Sequence, residues 1–393
     1  MVVIKPILPM ATNLQPSIAL VYDRANTPYG GAENVLLALH QAFPKAPLYT
    51  SLSSSTHAPW IQKFPQVITS KLNKLAILRT KHRWLAFLMP MIFESFDLSK
   101  FDVIISVTSA EAKGVITRPN QLHICYLLTP PRYLYQNKKQ SLASHWLLRL
   151  PLIKHLARIL INYLTWWDQA AIFRPDLVIP ISQLVTKRVK QFYPAIHPEP
   201  VIYPPINLQP KFLSKQRSMT GLTDYLLVIS RLVAYKKIEL AIEAAGKLGK
   251  NLIIVGQGPE QNRLKRLALA QTKSKILFFN QVDQDQLANL YQHCQALIMP
   301  GIEDFGIVAL EANSFGKPVI INTKSGAAEL IRPNVHGVHI QATNLTATVQ
   351  AIQKLEKIKF SIAEIEQNPL QYDTNMFINK FVAVIQSHQQ QTK

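Results

Sequence analysis

Short apolar runs alternate with helically spaced segments along nearly the whole chain, and this alternation constrains the fold more than any other feature. "IALVYD" (18–23) leads through a turn into "ENVLLALHQAF", and "FDVIISVTS" (101–109), "HICYLL" (123–128) and "DLVIPIS" (176–182) continue the series. In the second half, "YLLVIS" (225–230), "NLIIVG" (251–256), "KILFFN" (275–280), "ALIMPG" (296–301) and "PVIIN" (318–322) each precede a helical pattern. Strands that are apolar throughout are covered on both faces, so they pair in parallel and are joined by helical crossovers. The expected class is α/β with doubly wound sheets. Prolines crowd "VIYPPINLQPKF" (201–212) and a polar stretch follows, which places a break near 205–222. The expected domains are 1–208 and 209–370, with a lone amphipathic helix near 376–385 in the terminal segment 371–393.

A chain of 393 residues is long enough for two such domains, each with its own core. The longest apolar runs, "WLAFLMPMIF" (84–93) and "ILINYLTWW" (159–167), are too short to span a bilayer as helices. Prolines at 6 and 9 interrupt the apolar core that a secretion signal would need. Cys125 and Cys294 lie in apolar contexts without metal or disulfide spacing, which fits a reducing cytoplasm. Lys and Arg number 43 against 23 Asp and Glu, a net charge of +20. Such an excess suits nucleic acid, anionic membrane or phosphorylated substrates. No nucleic-acid reading module is recognisable, so that partner is not expected. Between Glu111 and Asp168 there is no acid, while Lys113, Arg118, Arg132, Lys138, Lys139, Arg149, Lys154 and Arg158 alternate with apolar residues. The 113–167 interval reads as an anionic membrane surface face, peripheral on the inner side of the cell membrane, or as a solvated helix packing its leucines on the core.

The stretch "PGIEDFGIVALEANSFGKP" (300–318) sets Glu303 and Glu311 in apolar surroundings, eight residues apart. An unpaired buried carboxylate is costly, so each needs a partner. In one continuous helix the two would stand about 12 Å apart along the axis. If 301–304 form a loop and the helix starts near Phe305 and Gly306, both can face one pocket. Glu311 would then accept hydrogen bonds from a hydroxyl pair such as a ribose. The free amides of Gly306, Ile307 and Val308 would make an anion site. The bland reading has Glu303 capping the helix and Glu311 in solvent.

"VISRLVAYKKIELAIEA" supplies the opposite charge, with Arg231 after a strand and Lys236-Lys237 opening the next helix. Cations on a loop above a sheet can neutralise a departing diphosphate, or merely form a solvated turn. "VGQGPE" (255–260) is a tight turn that often serves packing only. "YGGAEN" (29–34) could bring its backbone to a ligand, or be a plain turn with a helix starting at Glu33. Glycine is scarce and falls mostly at strand ends, which suggests close backbone approach to a ligand.

Taken together, these segments resemble the family 4 glycosyltransferases, retaining enzymes of the GT-B fold, in which two Rossmann-like domains face across a cleft. The family's motif of two glutamates separated by seven residues is seen here as Glu303 and Glu311 in "EDFGIVALE". The resemblance extends to "GGAE" (30–33), "VIYPPIN" (201–207), "SRLVAYKKIELAIEA" (230–244), "IVGQGPE" (254–260) and "SGAAELI" (325–331), in the expected order. It implies a C-terminal domain binding a nucleoside diphosphate sugar and an N-terminal domain binding a glycan or lipid-linked acceptor. By the same resemblance Glu303 contacts the transferred sugar and Glu311 the ribose, and Arg231 and Lys236 hold the diphosphate. Gly30 and Gly31 lie near the donor phosphates, and the amides of Phe305, Gly306, Ile307 and Val308 bind sugar or phosphate oxygens. No metal or other cofactor is implied. Similar sequences often use GDP-mannose, which makes mannose the first candidate over the hexoses of UDP-sugars. The terminal helix would cross back onto the N-terminal domain.

One departure stands out. Similar N-terminal domains carry "CYCHTPMRY", whereas this chain reads "CYLLTPPRY" (125–133), with Leu128 in the histidine's place. Thr129, Pro130 and the acceptor-side Arg132 and Tyr133 are retained. Leucine neither donates nor accepts a proton. Catalysis would then rest on leaving-group stabilisation, or the protein would be a donor-binding scaffold without turnover.

Overall fold

The computed structural model describes residues 16–27, 30–74, 87–136, 151–206 and 217–391. The chain divides into two compact units, Met1–Pro205 together with Phe377–Lys393, and Ile206–Met376. Part of the expected break, 207–216, lies outside the described residues, as do Tyr29 and residues 137–150 of the basic interval.

The first unit holds one parallel sheet of β1 (Ile18–Tyr22), β2 (Leu48–Thr50), β3 (Val67–Thr69), β4 (Val103–Thr108), β5 (Leu122–Leu127) and β6 (Leu177–Pro180). Their order across the sheet is β3-β2-β1-β4-β5-β6. The second unit repeats the plan with β7 (Tyr225–Ile229), β8 (Leu252–Val255), β9 (Ile276–Phe279), β10 (Cys294–Met299), β11 (Val319–Asn322) and β12 (Gly337–Ile340). Its order is β12-β11-β10-β7-β8-β9, again parallel throughout. Successive side chains on a strand point to opposite faces, and both faces are buried here. Leu226 and Val228 join a core with Ile242 and Ile352, whereas Tyr225 and Leu227 join one with Leu290 and Ala312. This two-sided burial is why β7 reads as an unbroken apolar run.

Three strands do not stand out in the sequence. β2 and β3 are three residues each, too short to form a recognisable run, and β12 is "GVHI". Two of them, β3 and β12, are edge strands. The last helix, Thr374–Gln391, sets the rings of Phe377 and Phe381 against Tyr126 of β5, with centroids 5.7 and 5.8 Å away.

Lys113 departs from the membrane-face expectation. It is fully buried, its ammonium paired with Asp168 and donating to the carbonyl of Ala110 at 2.6 Å. Tyr135 and Tyr193 donate to the other carboxylate oxygen of Asp168 at 2.7 and 2.5 Å. The buried charge is paired, and both carboxylate oxygens of Asp168 accept hydrogen bonds. Lys113 therefore ties the unit together internally. Both cysteines are buried too, and burial pushes each thiol up to about 12.

Candidate active site

β7 and β10 are hydrogen-bonded neighbours at the point where the strand order of the second sheet reverses. Loops leaving the carboxyl ends of two such strands turn to opposite sides and leave a crevice, the usual ligand position in an open α/β sheet. The loop after β7 carries Arg231 and Lys236, and the loop after β10 carries Glu303. The structure brings these two loops together. Lys236 Nζ pairs with Glu303 Oε1, with 11 and 17% of the two side chains exposed. The same ammonium lies 5.2 Å from the Tyr235 ring centroid, and Arg231 Nη2 donates to the Tyr235 hydroxyl at 3.0 Å. Tyr235 thus links both cations.

Each loop is held by a neighbour. Glu303 N–H donates to Ser325 Oγ at 2.9 Å, while Ser325 Oγ and Gly326 N–H donate back to the Glu303 carbonyl at 3.1 and 2.8 Å. The loop bearing Arg231 is laced to the β8 turn, with Leu232 N–H donating to Gln257 at 2.8 Å and Glu260 N–H to Leu232 at 3.0 Å. A Cβ on Gly301 would stand 2.6 Å from the Lys236 backbone, so the two loops touch main chain to main chain. The glycines of this region thus approach the protein's own backbone, where the sequence suggested approach to a ligand.

The helix after β10 begins at Ile307, with Gly306 at its N-cap in the left-handed region at φ 82°. Phe305 is buried, and Ile307 and Val308 are half-buried. Ala309 N–H donates to the Gly306 carbonyl at 3.0 Å, and the helix dipole favours an anion beside the amides that precede it. Glu311, one turn along, accepts a hydrogen bond from the Tyr291 hydroxyl at 3.0 Å. Tyr291 is itself stacked on Phe315, with centroids 5.2 Å apart. The two glutamates therefore have separate partners, Lys236 for one and Tyr291 for the other. Burial raises the Glu311 carboxyl above its ordinary value, and the Tyr291 hydrogen bond pulls it part of the way back.

That balance sets a pH dependence. The Glu311 carboxylate form is lost as pH falls through the raised value. Tyr291→Phe removes a hydrogen bond that favours the carboxylate, so, if Glu311 contacts the donor, the acidic limb of donor affinity is expected to move to higher pH. Titrating donor affinity of parent and variant against pH checks this. Coincident limbs would mean that Tyr291 does not act on Glu311.

The remaining candidates lie in the first unit. Gly30 is the N-cap of the helix Gly31–Ala42, which starts two residues before Glu33. Glu33 accepts from Tyr22 and Thr27 at 2.9 and 3.2 Å. Arg132 and Tyr133 open the short helix Arg132–Tyr135, and the Tyr133 hydroxyl donates to Glu111 at 2.9 Å, beside the Arg24–Glu111 ion pair. Leu128 follows β5, half-buried, its N–H donating to Thr108 at 2.8 Å. Sequence reasoning assigned no role to Tyr235, Tyr291 or Ser325. Of these, Ser325 stands in the quoted "SGAAELI" segment, and only that context pointed to it. Among the described residues no group of acidic, histidine and cysteine side chains has the arrangement of a metal site.

Residues 214–371 match the family described as glycosyl transferases group 1. An uncharacterized glycosyltransferase of Methanocaldococcus jannaschii is 31% identical over 166 residues, 40% of this chain and 42% of that protein. A GDP-mannose-dependent monoacylated alpha-(1-6)-phosphatidylinositol monomannoside mannosyltransferase of Corynebacterium glutamicum is 29% identical over 39% of this chain and 42% of its own. Among solved structures, Anabaena HepE in complex with UDP superposes with a TM-score of 0.66 at 18% identity, covering 94% of this chain and 100% of that one. The fold is that of the GT-B glycosyltransferases. The chain spans about two fifths of the length of the curated relatives it matches.

Proposed function

We propose that the protein is a retaining glycosyltransferase that moves a hexose from a nucleoside diphosphate sugar to a glycan or lipid-linked acceptor. The observation that carries this reading is the meeting of Arg231, Lys236 and Glu303 at the β7–β10 reversal of a group 1 glycosyl transferase domain. The second unit, Ile206–Met376, would hold the donor. Arg231 and Lys236 would take the diphosphate, Glu303 the transferred sugar, Glu311 the ribose, and the amides of residues 305–308 sugar or phosphate oxygens. The first unit would hold the acceptor, with Arg132 and Tyr133 on that side and Gly30 and Gly31 near the donor phosphates. The two cations would do the charge work for which other enzymes use a divalent metal.

The acceptor hydroxyl would attack the anomeric carbon from the side on which the diphosphate departs. The new carbon–oxygen bond forms as the sugar–phosphate bond breaks, and a phosphate oxygen receives the hydroxyl proton. Front-face attack needs no protein base, which suits a chain with leucine at 128. Mannose is the first candidate, because several curated relatives are named as mannosyltransferases. HepE, solved with UDP-glucose, supports a UDP-sugar as the other candidate.

The rival reading, a donor-binding scaffold without turnover, is favoured by Leu128 alone. A screen of GDP-mannose, UDP-glucose, UDP-galactose and UDP-N-acetylglucosamine separates the two, read by thermal shift and by release of free nucleoside diphosphate. Release from one donor, lost in Glu303→Ala and Arg231→Ala, is expected. Binding without release, even with membrane lipid extract added, would favour the scaffold. Binding of no donor would remove both readings.

A further inference from the structure

Arg231, Lys236 and Lys237 all leave the loop after β7, but their side chains do not converge. Lys237 stands in the left-handed region at φ 53°, and its ammonium lies 3.7 Å from Glu239. That carboxylate also pairs with Arg263 at 3.2 Å, so Lys237 belongs to a separate charge group. Lys236 pairs instead with Glu303. Of the two adjacent lysines, only Lys236 shares a partner with Arg231, and that partner is uncharged. It is Tyr235.

Tyr235 sits in the middle of the one-turn helix Ala234–Lys236. Lys236 N–H donates to the Val233 carbonyl at 3.0 Å and Lys237 N–H to that of Ala234 at 3.3 Å, which closes the turn around it. The half-buried side chain makes two contacts from this one position. Its hydroxyl accepts from Arg231 Nη2 at 3.0 Å, and its ring centroid lies 5.2 Å from Lys236 Nζ.

The two contacts differ in consequence. Arg231 is exposed, and a long exposed side chain gives up rotamer freedom when it meets a ligand. A hydroxyl that already holds the guanidinium lowers that cost, and pre-organisation of this kind is felt as affinity. Lys236 is already largely desolvated. An aromatic face attracts an ammonium without neutralising it, so the ring can fix the position of the charge and leave the charge itself for an anion. A second carboxylate in the same place would cancel what it positions.

We propose that Tyr235 is a positioning residue with two separable parts: its hydroxyl sets Arg231 for binding the diphosphate, and its ring sets Lys236 for the chemical step. The proposal rests on the transferase reading, which gives the diphosphate to these two cations. It adds an uncharged residue to the charged set, and it divides affinity from turnover within one side chain.

The test compares the full chain with its Tyr235→Phe and Tyr235→Leu variants, and repeats Tyr235→Phe in an Arg231→Ala background. Calorimetry with GDP and UDP reads affinity, and release of nucleoside diphosphate from the productive donor reads kcat. Tyr235→Phe should weaken nucleotide binding about three- to tenfold and leave kcat within about twofold of the parent. In the Arg231→Ala background the same substitution should change nothing, because the hydroxyl acts through the guanidinium. Tyr235→Leu should also lower kcat, by about three- to tenfold, through loss of the ring, so that phenylalanine restores kcat and not affinity. Parent affinity in Tyr235→Phe overturns the proposal, as does equal kcat in the Phe and Leu variants. A drop in melting temperature with parallel losses of affinity and kcat in both variants also overturns it, because the tyrosine would then serve only the loop's fold. If the parent turns over a donor and both variants match it, this proposal alone falls. A parent that binds neither GDP nor UDP removes the transferase reading and this proposal with it.

Discussion

Lys236→Ala is expected to lower turnover of the productive donor by about two to three orders of magnitude, with a smaller change in donor KM. The ammonium is nearly buried, paired with Glu303 and placed against the Tyr235 ring. A fixed, partly desolvated cation is worth most where negative charge grows, and on a departing diphosphate it grows in the transition state. The loss should therefore fall on kcat more than on binding. Lys236→Arg should not restore activity, because a planar guanidinium does not reproduce a compact ammonium held between the Glu303 carboxylate and the Tyr235 ring. The pair also makes the effects non-additive. Removing Lys236 leaves the Glu303 carboxylate facing the diphosphate without its partner, so Lys236→Ala with Glu303→Gln should be little worse than Lys236→Ala alone. Rates of nucleoside diphosphate release for the three variants decide the matter. Turnover of Lys236→Ala within about threefold of the parent, far short of the expected loss, would remove Lys236 from the chemistry.

The alternation of strands and helices was legible because parallel strands buried on both faces leave an unbroken apolar signature. Length explains two of the omissions, since β2 and β3 are three residues each, whereas β12 reads "GVHI" and its histidine interrupts the apolar signature. Arg231, Lys236 and Glu303 could be picked out from local context, yet their meeting depends on β7 lying beside β10. That adjacency is a matter of strand order, which no local pattern records. Tyr291 and Glu311 are 20 residues apart, and Lys113 and Asp168 are 55 apart. A lysine in an acid-free interval looks like a surface charge until its distant carboxylate is known. The need of both glutamates for partners was readable from the cost of burying a charge, but the identity of Tyr291 as one of them was not.

The Gly-x-Gly turn at 256–258 illustrates how a packing role can carry a functional consequence. Gly256 has φ 143°, and a Cβ there would stand 1.9 Å from the Ser230 carbonyl oxygen. Gly258 presses in the same way on the carbonyl of Leu232, at 2.2 Å. The obstructing atoms are main chain, so no side chain can swing aside. Gly256→Ala is therefore expected to cost about 3 kcal/mol or more, from the strained backbone and the forced separation of the two loops together. Ser230 immediately precedes Arg231, so relief of the clash must displace the loop that carries both cations. Turnover should fall with stability in this variant although residue 256 has no assigned contact with substrate. Gly221→Ala is the control. Its φ is 68°, but a Cβ there meets nothing within 4 Å, so only the conformational cost of about 1 kcal/mol remains, with turnover unchanged. Denaturant midpoints and donor turnover for the two alanine variants separate strain from collision. Equal losses in both would mean that the turn yields freely, and that the Arg231 loop is positioned by something other than Gly256.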